Sequence, residues 1–243
     1  MKLEKRRIVI TGGTSGIGLE MAKYLHQNND VIVISKSASK LDELAQDLAG
    51  IVTYQADLSR LDNIKTVANA IVKRFKSIDL LINNAAVQNT PTFLDDDFRY
   101  ENISQEITLN FTSICSLTYL LLPALLHSDK SVILNVNSGL ALAPKTSSAV
   151  YCATKGALNV FSQSLRYQLE KTNINVQQVF LELVDTQMTK GRGEHKMSAK
   201  TAAIRIIRGI ERDIPDNDIG KVKLLRVLLR IAPSIAKKIM KKY

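Results

Sequence analysis

The sequence predicts a doubly wound α/β sheet, and three observations carry that prediction. β-rich runs of five to seven residues alternate strictly with stretches of helical periodicity over the first two-thirds of the chain. Several of these runs are almost wholly apolar, as strands are when helices cover both faces of a parallel sheet. A glycine-rich turn joins the first run to the first helical stretch, and such turns are where these sheets bind ligands. Strand and helix in alternation imply parallel strands joined by right-handed crossovers. The 243 residues, 45% hydrophobic and 23% charged, suit one large domain whose core needs neither disulfide nor metal.

In chain order, the strands are "RIVIT" (7–11), "VIVIS" (31–35), "IVTYQ" (51–55), "IDLLIN" (78–83), "SVILNVN" (131–137) and "INVQQVF" (174–180). Helical stretches separate them at 17–28, 39–49, 60–76, roughly 99–127 and 150–172. A further short strand is expected around Ile219 to Val222. Two connections, 86–98 and 182–198, are longer than such sheets usually need and lie at carboxyl ends of strands. The second carries Lys190, Gly191, Arg192, Gly193, His195 and Lys196, which reads equally as a mobile lid or a solvated loop. No internal repeat or low-complexity segment interrupts this order.

Charge is distributed unevenly. Of the formal net charge of +10, eight lysines and arginines fall in residues 221–243, where no acid accompanies them. Pro233 splits that tail into two helical pieces, and in the second Ile235, Ala236, Ile239, Met240 and Tyr243 share one side, opposite four lysines. Such a helix can lie on an anionic membrane surface, or pack its apolar face against the body or a sister subunit. Nucleic acid is not expected as a partner, since no recognition motif accompanies the basic residues and aromatic content is 5%. The two cysteines, Cys115 and Cys152, are expected as free thiols in a reducing compartment, and no metal is expected. The basic start is followed by no apolar segment of signal-peptide length, and no uninterrupted apolar run approaches a membrane span, so a cytoplasmic location is expected.

The chemistry sits in short motifs. "TGGTSGIG" (11–18) places Gly12, Gly16 and Gly18 between the first strand and the first helix. Glycines there allow a tight turn and close backbone approach to a pyrophosphate, which the helix N-terminus favours with free N–H groups. Tyr151 and Lys155, in "YCATK", stand one turn apart on a helix face. Alone, such a pair would be a snorkelling surface feature. Ser138 alone would be a turn residue, and Asn110 alone a polar residue on an apolar helix.

Taken together with "NNAA" (83–86), these motifs resemble, in order and spacing over roughly residues 5 to 212, the short-chain dehydrogenase/reductase family. The resemblance implies a Rossmann-type fold over residues 1–213, with 214–243 as a basic helical extension. It implies an NAD(P)-dependent oxidoreductase acting on a small-molecule carbonyl or alcohol. Tyr151 would be the proton donor and acceptor, its pKa lowered by Lys155 and the nicotinamide charge, with Ser138 holding the substrate oxygen. Asn110 would anchor a water in a relay from Lys155. The implied cofactor contacts are Gly12, Thr14, Ser15, Gly16, Ile17 and Gly18 in the turn, then Ser35 and Lys36, Asp57 and Leu58. Asn84, Ala85 and Ala86 follow, then Tyr151 and Lys155, and finally Val184 and Thr186.

Two departures from the family pattern matter. Ala86 stands where the family has glycine, and Glu182 with Leu183 replaces a Pro-Gly after the sixth strand. The stretch "ISKSASK" after the second strand has no acid to bind a ribose 2′-hydroxyl, and Lys36 suits a 2′-phosphate, so NADP(H) is expected over NAD(H). The family resemblance also implies a homodimer formed through the long fourth and fifth helices. The ending resembles a subgroup that includes an oxidoreductase encoded beside D-alanylation genes in some bacteria. A reading from another class is a nucleotide-binding regulatory or scaffold protein acting through its tail at a membrane surface or partner. An intact Ser-Tyr-Lys-Asn set disfavours it, because a sensor needs no proton donor.

Overall fold

In a computed structural model that describes residues 2–242, the alternation read from the sequence is realised almost element by element. The chain runs through β1 (Arg7–Thr11), α1 (Gly16–Leu25), β2 (Asp30–Ser35), α2 (Ala38–Asp47), β3 (Val52–Gln55) and α3 (Leu61–Arg74). It continues through β4 (Leu80–Asn83), α4 (Glu101–Ile107), α5 (Ser113–Leu126), β5 (Ser131–Ser138), α6 (Ala149–Gln168) and β6 (Ile174–Leu181). It ends with β7 (Val184–Asp185), β8 (Met197–Ser198), α7 (Ala199–Glu211), β9 (Asp216–Asp218), α8 (Val222–Ile231) and α9 (Pro233–Lys241).

Seven of the strands form one parallel sheet in the order β3-β2-β1-β4-β5-β6-β9. Side chains alternate across it. Ile8, Ile10, Val33, Ile82 and Leu134 face α1, α2 and α7, while Val9, Ile32, Ile34, Leu81 and Ile133 face α3, α5 and α6. Both faces are therefore covered, which is why the strands read as continuous apolar runs. The strand order reverses between β1 and β4, so a crevice opens there at the carboxyl ends of the strands.

Four readings need correction. The last strand is Asp216–Asp218, not 219–222, because the edge of β6 pairs Gln178 with Asp216 and Phe180 with Asp218 whatever the β propensity of those residues. The sheet thus extends past residue 213, into the segment read as the extension. The expected helix at 99–127 runs over Glu101–Leu126 but carries within it a π turn at Thr108–Thr112, between α4 and α5, that the periodicity did not show. The connection 182–198 is not structureless: β7 pairs with β8 in a small second sheet. Helix α7 was not among the helical stretches, although Ala202, Ala203, Ile206, Ile207 and Ile210 repeat at helical spacing and are buried.

Glu101–Leu126 has the length and composition of a membrane span when taken as one helix, yet Leu117, Leu121 and Leu125 are buried against the body. Tyr243 lies outside the described residues. The tail is no loose end. Arg226 grips Asp218 with two hydrogen bonds, of 2.5 and 2.8 Å, and lies over the Phe180 ring. At the far end of α9, the Lys241 carbonyl accepts from Thr146 Oγ1 at 2.7 Å.

Candidate active site

The TGG turn and the segment after β4 are built as one unit. Thr11 Oγ1 accepts from the backbone N–H groups of Asn84 and Ala85 at 2.9 and 3.0 Å. Asn84 Nδ2 donates back to the carbonyls of Thr11 and Gly12. Gly12 sits at φ +68°, and a Cβ on it would stand 3.0 Å from the Ala85 backbone. A Cβ on Gly18 would lie 2.3 Å from the Gly12 carbonyl oxygen, so Gly18 serves close packing and does not line the crevice. Ala86 is not among the residues with positive φ, so its methyl in place of the family's glycine brings no backbone strain.

These residues open one side of a cavity of about 530 Å³ along the carboxyl ends of the strands. Gly12, Ser15, Gly16 and Ile17 line it at the N-terminus of α1, whose first turn has no acid and whose Ser15 makes no side-chain cap. The free N–H groups there suit a phosphate. Ser35, Lys36, Asp57 and Leu58 line the next stretch, Asn84, Ala85 and Ala86 its floor, and Val184 and Thr186 the opposite lip. Thr14 stays outside the lining, its hydroxyl 2.8 Å from that of Ser35. Lys36 Nζ is 2.8 Å from Asp57 Oδ2. Burial alone would push the Asp57 carboxyl up, but the Lys36 ammonium and hydrogen bonds from Ser59 outweigh it and hold it at about 2.

Ser138, Tyr151 and Lys155 meet deeper in the cavity. Ser138 ends β5, and Tyr151 and Lys155 lie on the first turns of α6. Ser138 Oγ accepts from Leu140 N–H at 3.2 Å and lines the same cavity as Tyr151. Lys155 is buried, its Nζ donating to the Val136 carbonyl at 2.8 Å and standing 5.7 Å from the Tyr151 ring centre. Burial lowers the Lys155 pKa to about 8. The Tyr151 hydroxyl is pushed up rather than down, first by burial and then by Cys152 and Glu106, with Arg192 and Ser138 opposing. The depression expected from Lys155 is absent from the protein alone, because both groups are desolvated together.

Asn110 lies in the π turn, fully buried and outside the cavity lining. Its Oδ1 accepts from Val87 N–H at 2.9 Å, and its Nδ2 donates to the Val87 carbonyl and to Thr154 Oγ1. Thr154 Oγ1 in turn donates to the Tyr151 carbonyl at 2.8 Å. The side chain thus ties the backbone of Val87 to the helix turn that carries Tyr151.

Several lining residues escaped sequence reasoning. Gln88, Leu109 and Lys145 face the cavity, and so do residues of α8 and α9, including Leu224, Leu225, Leu228, Ile239 and Met240. Arg192 crosses the mouth from the 182–198 connection, donating to Gln88 Oε1 at 2.7 Å and to the Met188 carbonyl. Lys196 is pinned to Asp185 at 2.9 Å, whereas Lys190 and His195 are exposed. Glu182 lines the cavity and accepts from Lys221 N–H at the start of α8, so the departure from Pro-Gly joins β6 to the tail. Amphipathic period was visible in the tail, but nothing in the sequence said which surface it meets.

Comparison with known proteins gives four findings. The family described as short chain dehydrogenase matches residues 6–197. The oxidoreductase DltE of Bacillus subtilis (strain 168) is 36% identical over 191 residues, covering 78% of this chain and 76% of its own. An NADP-dependent 3-hydroxy acid dehydrogenase of Schizosaccharomyces pombe is 31% identical over 239 residues, 94% of this chain and 89% of its own. Among solved structures, a short-chain dehydrogenase from Sphingobium yanoikuyae in complex with NADPH superimposes with a TM-score of 0.80 at 27% identity, covering 88% and 87% of the two chains.

Proposed function

The chain belongs to the short-chain dehydrogenase family, and from that premise we propose that it is an NADP(H)-dependent reductase or dehydrogenase of a carbonyl/alcohol pair, with Ser138, Tyr151, Lys155 and Asn110 as its working set. The observation that carries the reading is the meeting of the Ser138 hydroxyl, Tyr151 and Lys155 in one cavity with the uncapped N-terminus of α1. The cradle suits a dinucleotide: the positive-φ glycines Gly12 and Gly16 leave room where a side chain would stand, and the N-terminus of α1 lines the cavity. When bound, the cofactor supplies the hydride for reduction or takes it up in oxidation.

The chain's own residues handle position and proton. Ser138 holds the substrate oxygen beside the Tyr151 hydroxyl. Tyr151 gives that oxygen its proton in reduction and removes it in oxidation. A phenol whose pKa is pushed up stays protonated near neutral pH, which suits the donor role. Lys155, one turn away and buried, is the cation that stabilises the phenolate left behind. Asn110 acts as a positioning residue, through Thr154 and the Tyr151 carbonyl.

Lys36 supports NADP(H) over NAD(H): its exposed ammonium leans on Asp57 where a 2′-phosphate would offer a dianion. The NADP dependence named for the fission-yeast relative points the same way. We further propose a homodimer, through the exposed Tyr119, Val160 and Tyr167 on α5 and α6, and contact of the α8–α9 face with an anionic membrane surface. A cytoplasmic location fits both. The test is a fluorescence titration with NADPH and NADH, followed by a carbonyl panel with wild type and Tyr151→Phe. Tighter NADPH binding is expected, and a loss of kcat of about a thousandfold in Tyr151→Phe with NADPH affinity retained. Equal turnover by the variant would end the proton-donor assignment.

A further inference from the structure

One wall of the active-site cavity is made by neither the sheet nor the crossover helices. Helices α8 and α9 supply it, with Leu224, Leu225, Leu228, Ile239 and Met240 facing the cavity alongside Leu183. The wall is firmly built. Val222 and Leu225 pack against Gly139, next to Ser138, and a Cβ there would meet Val222 at 3.1 Å. The Arg226–Asp218 pair and the Thr146–Lys241 hydrogen bond hold its two ends.

It is also apolar in a specific way. The acids lining the cavity are Asp57, paired with Lys36, and Glu182, which accepts from the Lys221 N–H at the start of α8. The apolar lining does not stop at the mouth. Leu224 and Ile239 line the cavity and yet are 69% and 53% exposed. They continue outward into the exposed Val227, Ile231 and Ile235. A surface that starts beside Ser138 and runs unbroken to solvent is a slot for something longer than a small ketone. The part of α8 that lines the cavity, from Val222 to Leu228, is roughly 9 Å long, the reach of a chain of about eight carbons.

We propose that the substrate carbonyl belongs to a molecule with a long unbranched apolar chain, and that this chain lies along the α8–α9 wall, passing Leu224 and Ile239 where the wall meets solvent. The assignment rests on the reductase reading above, since that reading fixes where the carbonyl sits. A chain placed so removes its methylenes from water against leucine, isoleucine and methionine side chains, each methylene tightening binding by about fourfold.

The experiment uses the full chain and the 2-alkanones from four to twelve carbons. Affinity is read by displacement of a dansyl-labelled C11 fatty acid, and reduction by NADPH oxidation. In the wild type, affinity is expected to rise about fourfold per carbon until the wall is filled. Leu224→Glu and Ile239→Glu, at positions exposed enough for the fold to accept a carboxylate, are expected to flatten that slope beyond six to eight carbons. Circular dichroism melting confirms that the variants remain folded. Affinity independent of length in the wild type overturns the proposal, as does a slope that survives both substitutions. Length-dependent binding without NADPH oxidation at any length removes the reductase reading and leaves the chain-binding wall standing.

Discussion

At the scale of single residues, Lys155 carries the largest physical tension. It is 3% exposed, donates to one backbone carbonyl, and has a pKa lowered by burial to about 8 from the ordinary 10.5. The sign of its effect on stability follows from proton counting. Between about pH 8 and 10.5 the unfolded chain holds a proton that the folded chain has released, so stability rises with pH across that window. Below about pH 8 both states are protonated, and the cost of burying the ammonium is constant and at its largest. Other groups titrate in the same range, Cys115 among them with a thiol pushed up to about 11, and act in the opposite direction. The comparison with Lys155→Met isolates the lysine. The difference in unfolding free energy between wild type and variant should be flat below pH 8 and then shift in favour of the wild type by on the order of 1 kcal/mol per pH unit. Denaturant titrations at half-unit steps from pH 6.5 to 10.5 measure it, and a flat difference throughout would mean that the ammonium is not desolvated.

At the scale of elements, the most telling join is between β9 and α8, where Arg226 meets Asp218. A charge-assisted pair with Asp218 only 13% exposed, reinforced by the Phe180 ring, holds the pocket wall to the sheet edge. Arg226→Ala should therefore cost about 2 kcal/mol in chemical denaturation and weaken binding of long alkanones in the same variant. Intact stability would place the hold on α8 elsewhere. This join also marks the boundary of what the sequence discloses. β1 was legible because "RIVIT" is apolar on both faces, and the glycine turn because few residue types tolerate its backbone. Strand β9, "DND", has no β pattern, and it pairs only because β6 offers it an edge. The π turn at Thr108–Thr112 likewise has no signature in "TLNFT", and it sets Asn110 facing Val87 and Thr154. The side chains proposed for the proton transfer, Ser138, Tyr151 and Lys155, could be picked out from local spacing, and all three line one cavity. The wall facing them could not be, since it depends on a long-range contact between Gly139 and Val222, eighty-odd positions apart.

At the scale of the whole molecule, two of the apolar surfaces that face outward differ in their chemistry. Helix α5 has no charged residue, and with α6 it exposes Tyr119, Val160 and Tyr167. An uncharged face of aromatic and β-branched residues has nothing to gain from a charged surface and suits burial against its own copy. The tail exposes Val227, Ile231 and Ile235 amid Lys223, Arg230, Lys237 and Lys238, with no acid on either helix. Apolar residues flanked by cations suit an anionic lipid interface, where each lysine near the surface adds about 1 kcal/mol. If the two surfaces have these separate partners, each can be removed without disturbing the other. Val160→Glu should convert a species of twice 27.0 kDa into a monomer in sedimentation velocity, while leaving co-sedimentation with phosphatidylglycerol vesicles in place. Lys237→Glu with Lys238→Glu should stay dimeric and lose vesicle binding by about thirtyfold or more, with phosphatidylcholine vesicles binding neither protein. Loss of dimerisation in the tail variant would instead identify the tail as the subunit interface, and the lysines would then be its solvated rim.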